Sequence, residues 1–263
     1  MAAVPVPSPP FAHGAACWRR AGTLCLAVLA LALALTLAGC ASLPIGVPRS
    51  TSQALAPADS SPLVALARRV STGPSLTGVR LLPLGTHSLD ARLQLIDRAT
   101  QSLDLQYYVL DNDTSGRLLL AHLADAAARG VRVRLLVDDL YTSQTDALLR
   151  AMAALPHTEV RLFNPFAAAR DSGLAGRFAA SLFDIRRLNH RMHNKLLLAD
   201  GAWAIAGGRN IADDYFQRGT QHNFIDLDAL LTGAVVVDLG AAFDRYWNSP
   251  VVLPIEAVST HGD

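Results

Sequence analysis

The chain contains a single lysine. Of its 23 basic residues 22 are arginine, and Lys195 is the exception among 263 positions. Cysteine is as scarce: Cys17, Cys25 and Cys40 are the three, none beyond residue 40, which excludes a disulfide framework in the body of the chain. Net charge is nearly absent at +1, so no overall cationic field draws the protein to nucleic acid. His87, His122 and His157 have no ligand-like spacing, and no metal or other cofactor is expected. What the chain has in quantity is apolar surface: 51% hydrophobic against 17% charged residues suits one folded domain of ~200 residues plus extras, and neither a disordered chain nor a membrane bundle. The arginine excess reads as a coding bias at most positions, which makes the one lysine worth following.

Residues 1–20 hold no acid and end in Arg19 and Arg20, and the next eighteen, Ala21 to Ala38, carry no charge. That is a secretory pattern at the lower edge of membrane-spanning length. Leu37-Ala38-Gly39-Cys40 resembles a bacterial lipobox, which implies cleavage before Cys40 and lipidation of its thiol. Ser42 in place of an acid favours the outer over the inner membrane, and the expected location is the periplasm-facing cell envelope. Residues 40–263 lose only Arg19 and Arg20, leaving 21 basic against 22 acidic groups, so attachment would come from lipid chains at about 0.8 kcal/mol per buried CH₂. The organisation expected is a signal peptide over 1–39, a Ser/Pro/Ala-rich tether over 40–62, a folded lobe over 63–250 and a tail over 251–263.

Within the lobe, helical and strand periods alternate. Leu89, Leu93 and Ile96 predict a helix over 88–100, and Leu103 to Leu110 a strand. Thr114 to Arg129 predicts a second helix stopped at Gly130, followed by a buried strand from Val131 to Val137. Thr145 to Ala154 is helical and ends before Pro156, Glu159 to Phe163 is a short strand, and Asp238 to Trp247 is a final helix. Alternation of this kind predicts an α/β fold, a layered α/β/α sandwich around a mixed central sheet. Residues 167–188 show no clean period and read as a mobile loop over the site. Asp200-Gly201 marks a type I′ turn joining strands His193–Ala199 and Ala202–Ala206. On a strand, His193 and Lys195 face the same way; on a helix they would lie ~200° apart.

Counting outward from the lysine gives His193-x-Lys195-x₄-Asp200-x₆-Gly207-Gly208-x-Asn210. This pattern resembles the signature of the phospholipase D superfamily. Leu105-Gln106-Tyr107-Tyr108, Arg129 to Arg134, Phe163-Asn164-Pro165-Phe166, Gly207 to Ile211, Asp226-Leu227-Asp228 and Phe243 to Trp247 look like its bacterial cardiolipin synthase branch. The resemblance covers most of residues 75–250. It implies a phosphodiesterase or phosphatidyltransferase acting on phospholipid without a metal, with His193, Lys195 and Asp200 as the catalytic motif. A neutral imidazole on His193 can attack phosphorus and form a phosphohistidine. Lys195 and Asn210 can hold the nonbridging oxygens, and Gly207 and Gly208 let backbone amides approach a phosphate, although Gly208 stands where Ser is commoner in the family. Asp200 reads more as a holder of the hairpin, or an ordinary turn residue, than as a chemical participant. Asp226, ahead of Asp228, is the candidate carboxylate for orienting the imidazole. Arg186, Arg187, His190 and Arg191 either attract phosphate headgroups or form a solvated basic loop. Asp138-Asp139 reads as a strand-end cap rather than a metal pair.

Lipid enzymes of the family usually carry two such motifs, the second histidine protonating the leaving alcohol. With one lysine, this chain has one motif. A homodimer, a partner chain carrying the second lobe, and a truncated gene product each fit. The rival readings are a dimeric secreted nuclease of the same superfamily, disfavoured by the anchor and by Gly-Gly-Arg-Asn, and a catalytically silent lipoprotein.

Overall fold

A computed structural model describes residues 28–29, 46–71, 73, 75–166, 173–180 and 185–258. Cys40 and nearly all of the expected signal segment lie outside these residues. The fold below belongs to the unit 43–263.

One mixed sheet organises it. The strands are β1 Thr77–Leu82, β2 Ser102–Tyr107, β3 Arg132–Asp138, β4 Thr158–Phe163, β5 Leu196–Ala199, β6 Trp203–Gly207, β7 Asp228–Gly233 and β8 Val252–Pro254, ordered β1-β7-β6-β5-β2-β3-β4-β8. β2, β3 and β4 run parallel, and the remaining pairings are antiparallel. Helices α1 Pro62–Val70, α2 Gly85–Arg98, α3 Thr114–Ala128 and α4 Asp146–Ala153 line one face. Between β4 and β5 come α5 Gly173–Ala180 and the single turn α6 Ile185–Leu188, while α7 Ala234–Trp247 covers the other face and α8 Ile255–Val258 follows β8. This is the layered α/β/α arrangement the alternation predicts.

Burial on both faces explains why β2 and β3 read as continuous apolar runs. Leu103, Leu105 and Leu135 enter the larger core with Leu89, Ile96, Leu119 and Leu123, whereas Leu136, Leu196 and Leu198 join Phe243 and Trp247 beneath α7. Capping fixes the helix ends: Asp113 accepts the Gly116 amide at 2.9 Å, and Gly130 at φ +89° lets Val131 N–H return to the Ala126 carbonyl at 3.1 Å.

Four features depart from the sequence reading. The stretch expected to be a free tether is instead laid along the lobe from residue 49 to 61. Arg49 donates to the carbonyls of Ser249, Pro250 and Val252, Arg161 to the Ser50 carbonyl, Arg132 to the Gln53 carbonyl, and Arg134 and Trp247 to the Ser52 hydroxyl. Asp244 accepts the Ala54 amide, and Ser61 caps α1 while donating to Asp200. Second, the expected tail supplies β8 as an edge strand beside β4. Third, within 167–188 the residues 173–180 are helical, with Arg177 fully buried against Asp146 and the Asp139 carbonyl. Finally, His193 and Lys195 precede β5 instead of lying on it, because the Met192 amide goes to Asp138 and the Lys195 ammonium to the His193 carbonyl.

The arginine excess also has a structural side. Arg92, Arg134, Arg161, Arg177 and Arg209 are buried and multiply hydrogen-bonded, a role the five-donor guanidinium fills and an ammonium does not.

Candidate active site

The carboxyl ends of β2, β3 and β4 open on one edge of the sheet, and the antiparallel β5 and β7 begin there. Chemistry in open α/β sheets gathers at such an edge. The sequence motif is assembled at it from three directions.

Asp138, at the end of β3, accepts the amides of Leu140 at 2.9 Å and Met192 at 2.8 Å and pairs with Arg191 at 3.0 Å. Burial pushes its carboxyl above the usual range, against the opposing pull of Arg191. It is the strand-end cap expected, and it fastens residues 191–192 in front of His193. The exposed His193 ring lies 4.6 Å from the Tyr108 ring, centroid to centroid. Its Nδ1 is 3.1 Å from Lys195 Nζ, which also donates to the His193 carbonyl at 2.6 Å. Lys195 is 6% exposed, with Nζ 5.3 Å from the Tyr108 centroid, a cation–π placement. Burial lowers its pKa, and the negative charge of Asp226 pulls it back up.

Tyr108 and Tyr141 form an edge-to-face pair at 5.5 Å. Burial, followed by the hydrogen bond with Tyr141, pushes the Tyr108 hydroxyl up to about 12, so it remains a proton donor at neutral pH. The sequence reading missed both tyrosines as site residues. For Tyr108 the available signal was an aromatic pair, Tyr107-Tyr108, at the end of a buried strand; Tyr141, in the turn after β3, carried none.

The remaining motif residues divide between site and scaffold. Asn210 is buried; its side-chain oxygen accepts the Val109 amide at 3.1 Å and its NH₂ donates to the Tyr215 hydroxyl at 2.9 Å, which uses one of its two N–H groups. Gly208 gives its own amide to the Leu227 carbonyl at 3.1 Å. A Cβ on Gly208 would overlap the Asp226 carboxylate, and one on Gly207 would overlap Asp228. The two glycines thus admit the 226–228 segment. Asp226 stands beside Gly208 and accepts the Leu227 amide at 2.7 Å.

Asp228 is engaged elsewhere. Burial would raise its carboxyl, but Arg92, Ser88 and the Arg209 amide hold it below the usual range, and this buried network removes it as an orienting carboxylate for His193. Asp200 stands apart from His193: it is fully buried at the far end of β5, where it accepts the amides of Thr100, Gln101 and Ser102, the hairpin-holding place the sequence reading favours over a part in the chemistry. Asp200 at φ +50° and Gly201 at φ +62° form the turn as the sequence reading has it. Arg187 donates to Asn164 and the Pro165 carbonyl, and Arg191 to Leu188 and Asn164 carbonyls, so both brace the approach to His193 instead of forming a solvated basic loop. Asn164 in turn donates to the His190 carbonyl at 2.7 Å. The side chain of Arg186 lies outside the described residues.

Comparison with known proteins places this edge in context. The family described as "Cardiolipin synthase, PLD-like domain" matches residues 93–247, more than half of the chain. Cardiolipin synthase C of Escherichia coli (strain K12) is 44% identical over 188 residues, covering 72% of this chain and 39% of the relative. An uncharacterized protein of Helicobacter pylori (strain ATCC 700392 / 26695) is 35% identical over 224 residues, 85% of this chain and 44% of its own length. This chain thus spans about two fifths of the curated relatives it matches. The phosphatidylserine synthase structure from Haemophilus influenzae Rd KW20 shares the fold at a TM-score of 0.51 and 13% identity, covering 76% of this chain and 44% of that one. By the match across residues 93–247, which contains every motif residue from His193 to Asn210, the chain belongs to the cardiolipin synthase, phospholipase D-like domain family.

Proposed function

We propose that the chain supplies one histidine-lysine lobe of a phospholipase D-type phosphatidyltransferase or hydrolase acting on phospholipids. The observation that carries this reading is His193 against Lys195 and Tyr108 at an open sheet edge, with one Asn210 N–H still to place. His193 attacks phosphorus, an N–P bond forms, and the P–O bond to the departing alcohol breaks, that oxygen taking a proton from a general acid. The acceptor oxygen then displaces the histidine, passing its proton back. Water as acceptor yields phosphatidic acid, and the headgroup glycerol of phosphatidylglycerol yields cardiolipin.

The geometry adds a condition. Lys195 as an ammonium donates to Nδ1, which puts the imidazole proton on Nε2 and leaves no free lone pair for attack. Bound phosphate resolves this by drawing the Lys195 ammonium to a nonbridging oxygen, after which Nδ1 takes the proton, Asp226 is the carboxylate at hand to accept its hydrogen bond, and Nε2 is freed. The general acid in this reading is the histidine of a second lobe, from another copy of the chain or from a partner. A lipid on Cys40 holds the lobe at the cell envelope, outer membrane favoured.

The test is turnover of phosphatidylglycerol vesicles by the full chain beside its His193→Ala variant, with oligomeric mass recorded on the same sample. Expected is a product, cardiolipin or phosphatidic acid, that disappears in the variant, together with acid-labile phosphate trapped on His193. A folded parent chain with no turnover alone or with a second-lobe partner would sink the reading.

A further inference from the structure

Loop 217–227 carries an apolar tip that nothing in the catalytic reading uses. Ile225 is fully exposed, and Phe224 and Leu227 on either side are about half exposed. The tip is not loose chain. Phe224 N–H donates to the Asp214 carbonyl at 2.9 Å and its ring lies 4.8 Å from Tyr215, the partner of Asn210. Arg209 holds the Asp226 carbonyl, and Gly208 holds that of Leu227. An ordered backbone therefore holds apolar side chains in water at the rim of the site, directly beside Asp226. Exposed apolar residues clustered this way mark a contact surface for a membrane or a protein, and the path of the chain favours the membrane.

The chain's own path points to the same edge. Arg49, the first residue of the docked segment, is anchored to the carbonyls of Ser249, Pro250 and Val252. Val252 lies opposite Phe163 at the carboxyl end of β4, and Asn164 donates to the Val251 carbonyl. The segment then runs away from that edge, reaching the far end of β5 where Ser61 meets Asp200. The docked segment thus begins, at Arg49, on the catalytic side of the lobe.

We propose that Phe224, Ile225 and Leu227 form a wedge that enters the hydrocarbon of a phospholipid bilayer and lays the catalytic edge on the surface that holds its substrate. The inference rests on the phospholipid reading for its purpose, but the insertion itself requires no turnover.

The test places an indole at the tip. The full chain carrying Ile225→Trp is reconstituted with vesicles of phosphatidylglycerol and phosphatidylethanolamine bearing brominated acyl chains, the parent chain's emission is subtracted, and Val237→Trp, at an exposed position near the start of α7, serves as control. Insertion predicts a blue shift with loss of about half the Ile225→Trp emission and none of the control's. An unquenched indole at the tip overturns the proposal. So does a blue shift without quenching in a dimer, which would give the tip to a second lobe. An Ile225→Asp variant supplies the functional arm: turnover of vesicle-embedded lipid should fall about tenfold while a small soluble phosphodiester is cleaved as before. Equal loss on both substrates would also overturn it. If neither substrate is turned over by the parent chain, alone or with a second-lobe partner, the catalytic reading fails and the quenching result still decides the wedge.

Discussion

At the scale of the residue, the proposed chemistry hinges on how one ammonium is shared. Lys195 is the sole lysine, so lysine-specific ¹⁵N labelling gives a side-chain resonance that belongs to it alone. Its titration should fall below the ordinary 10.5, because burial disfavours the cation, and Asp226→Asn should lower it further by removing the charge that supports it. A lysine titrating at its usual value, or one indifferent to Asp226, would contradict the site geometry. The linkage has a definite sign: the unfolded chain holds this proton more tightly than the folded one, so Lys195's contribution to stability should rise as pH climbs from its folded value towards 10.5. Tyr108 tests the neighbouring contact. Tyr108→Leu removes the ring that lies tilted against His193 and faces Lys195, and kcat should fall about tenfold with KM little changed, whereas Tyr108→Phe keeps the ring and most of the activity. A large KM effect with intact kcat would instead make Tyr108 a substrate contact.

At the scale of the element, what the sequence conveyed depended on whether local pattern or distant partners decided the structure. Thr114 to Gly130 was legible because its cap, apolar stripe and stop signal all lie within the helix itself. The Asp200-Gly201 turn was legible for the same reason, both residues taking the positive φ their identities suggest. β1 was not: five of its six residues are exposed at the sheet edge, so no alternation marks it. Nor was the docked segment 49–61, which is held by partners far away in sequence, Arg132 on the Gln53 carbonyl, Arg161 on the Ser50 carbonyl and Asp244 on the Ala54 amide among them, and not by any period of its own. His193 and Lys195 were found from spacing alone, yet their exact placement ahead of β5 depends on Asp138, 54 residues from Met192, and only the folded chain reveals that. These long-range ties can be measured. A chain beginning at residue 63 strips partners from Arg134, Arg161, Asp244 and Asp200, and should be about 3 kcal/mol less stable to urea than one beginning at residue 46. Asp200→Ala should cost a similar amount, about 3 kcal/mol, by orphaning three backbone amides, while the folded fraction keeps its activity. Loss of activity without loss of stability would return Asp200 to the catalytic set.

At the scale of the whole molecule, one lysine means one motif, and the proposed two-step transfer asks for a base and an acid. Among the described residues, the sheet is finished on one side and not on the other. β8 closes the β4 edge as a three-residue strand, while β1 leaves Val79 and Leu81 about 60% exposed on the same face, next to Leu231 and Ala229 of β7. Such an edge is ordinarily covered. If a second copy covers it and brings its own His193, each working site needs two intact histidines. Diluting the parent chain with a ninefold excess of the His193→Ala variant, under conditions where subunits exchange, should then reduce turnover per parent chain to about a tenth, since random pairing leaves that fraction of parent chains with a parent partner. Turnover per parent chain that stays constant on dilution, and appears only when a separate histidine-lysine lobe is added, would assign the acid to a different protein. The same titration with Lys195→Met in place of His193→Ala separates roles within the dimer. A site in which each lysine serves its own histidine's phosphate should retain part of its activity in the mixed pair, whereas a site that needs both cations around one phosphate should lose it as steeply as with His193→Ala.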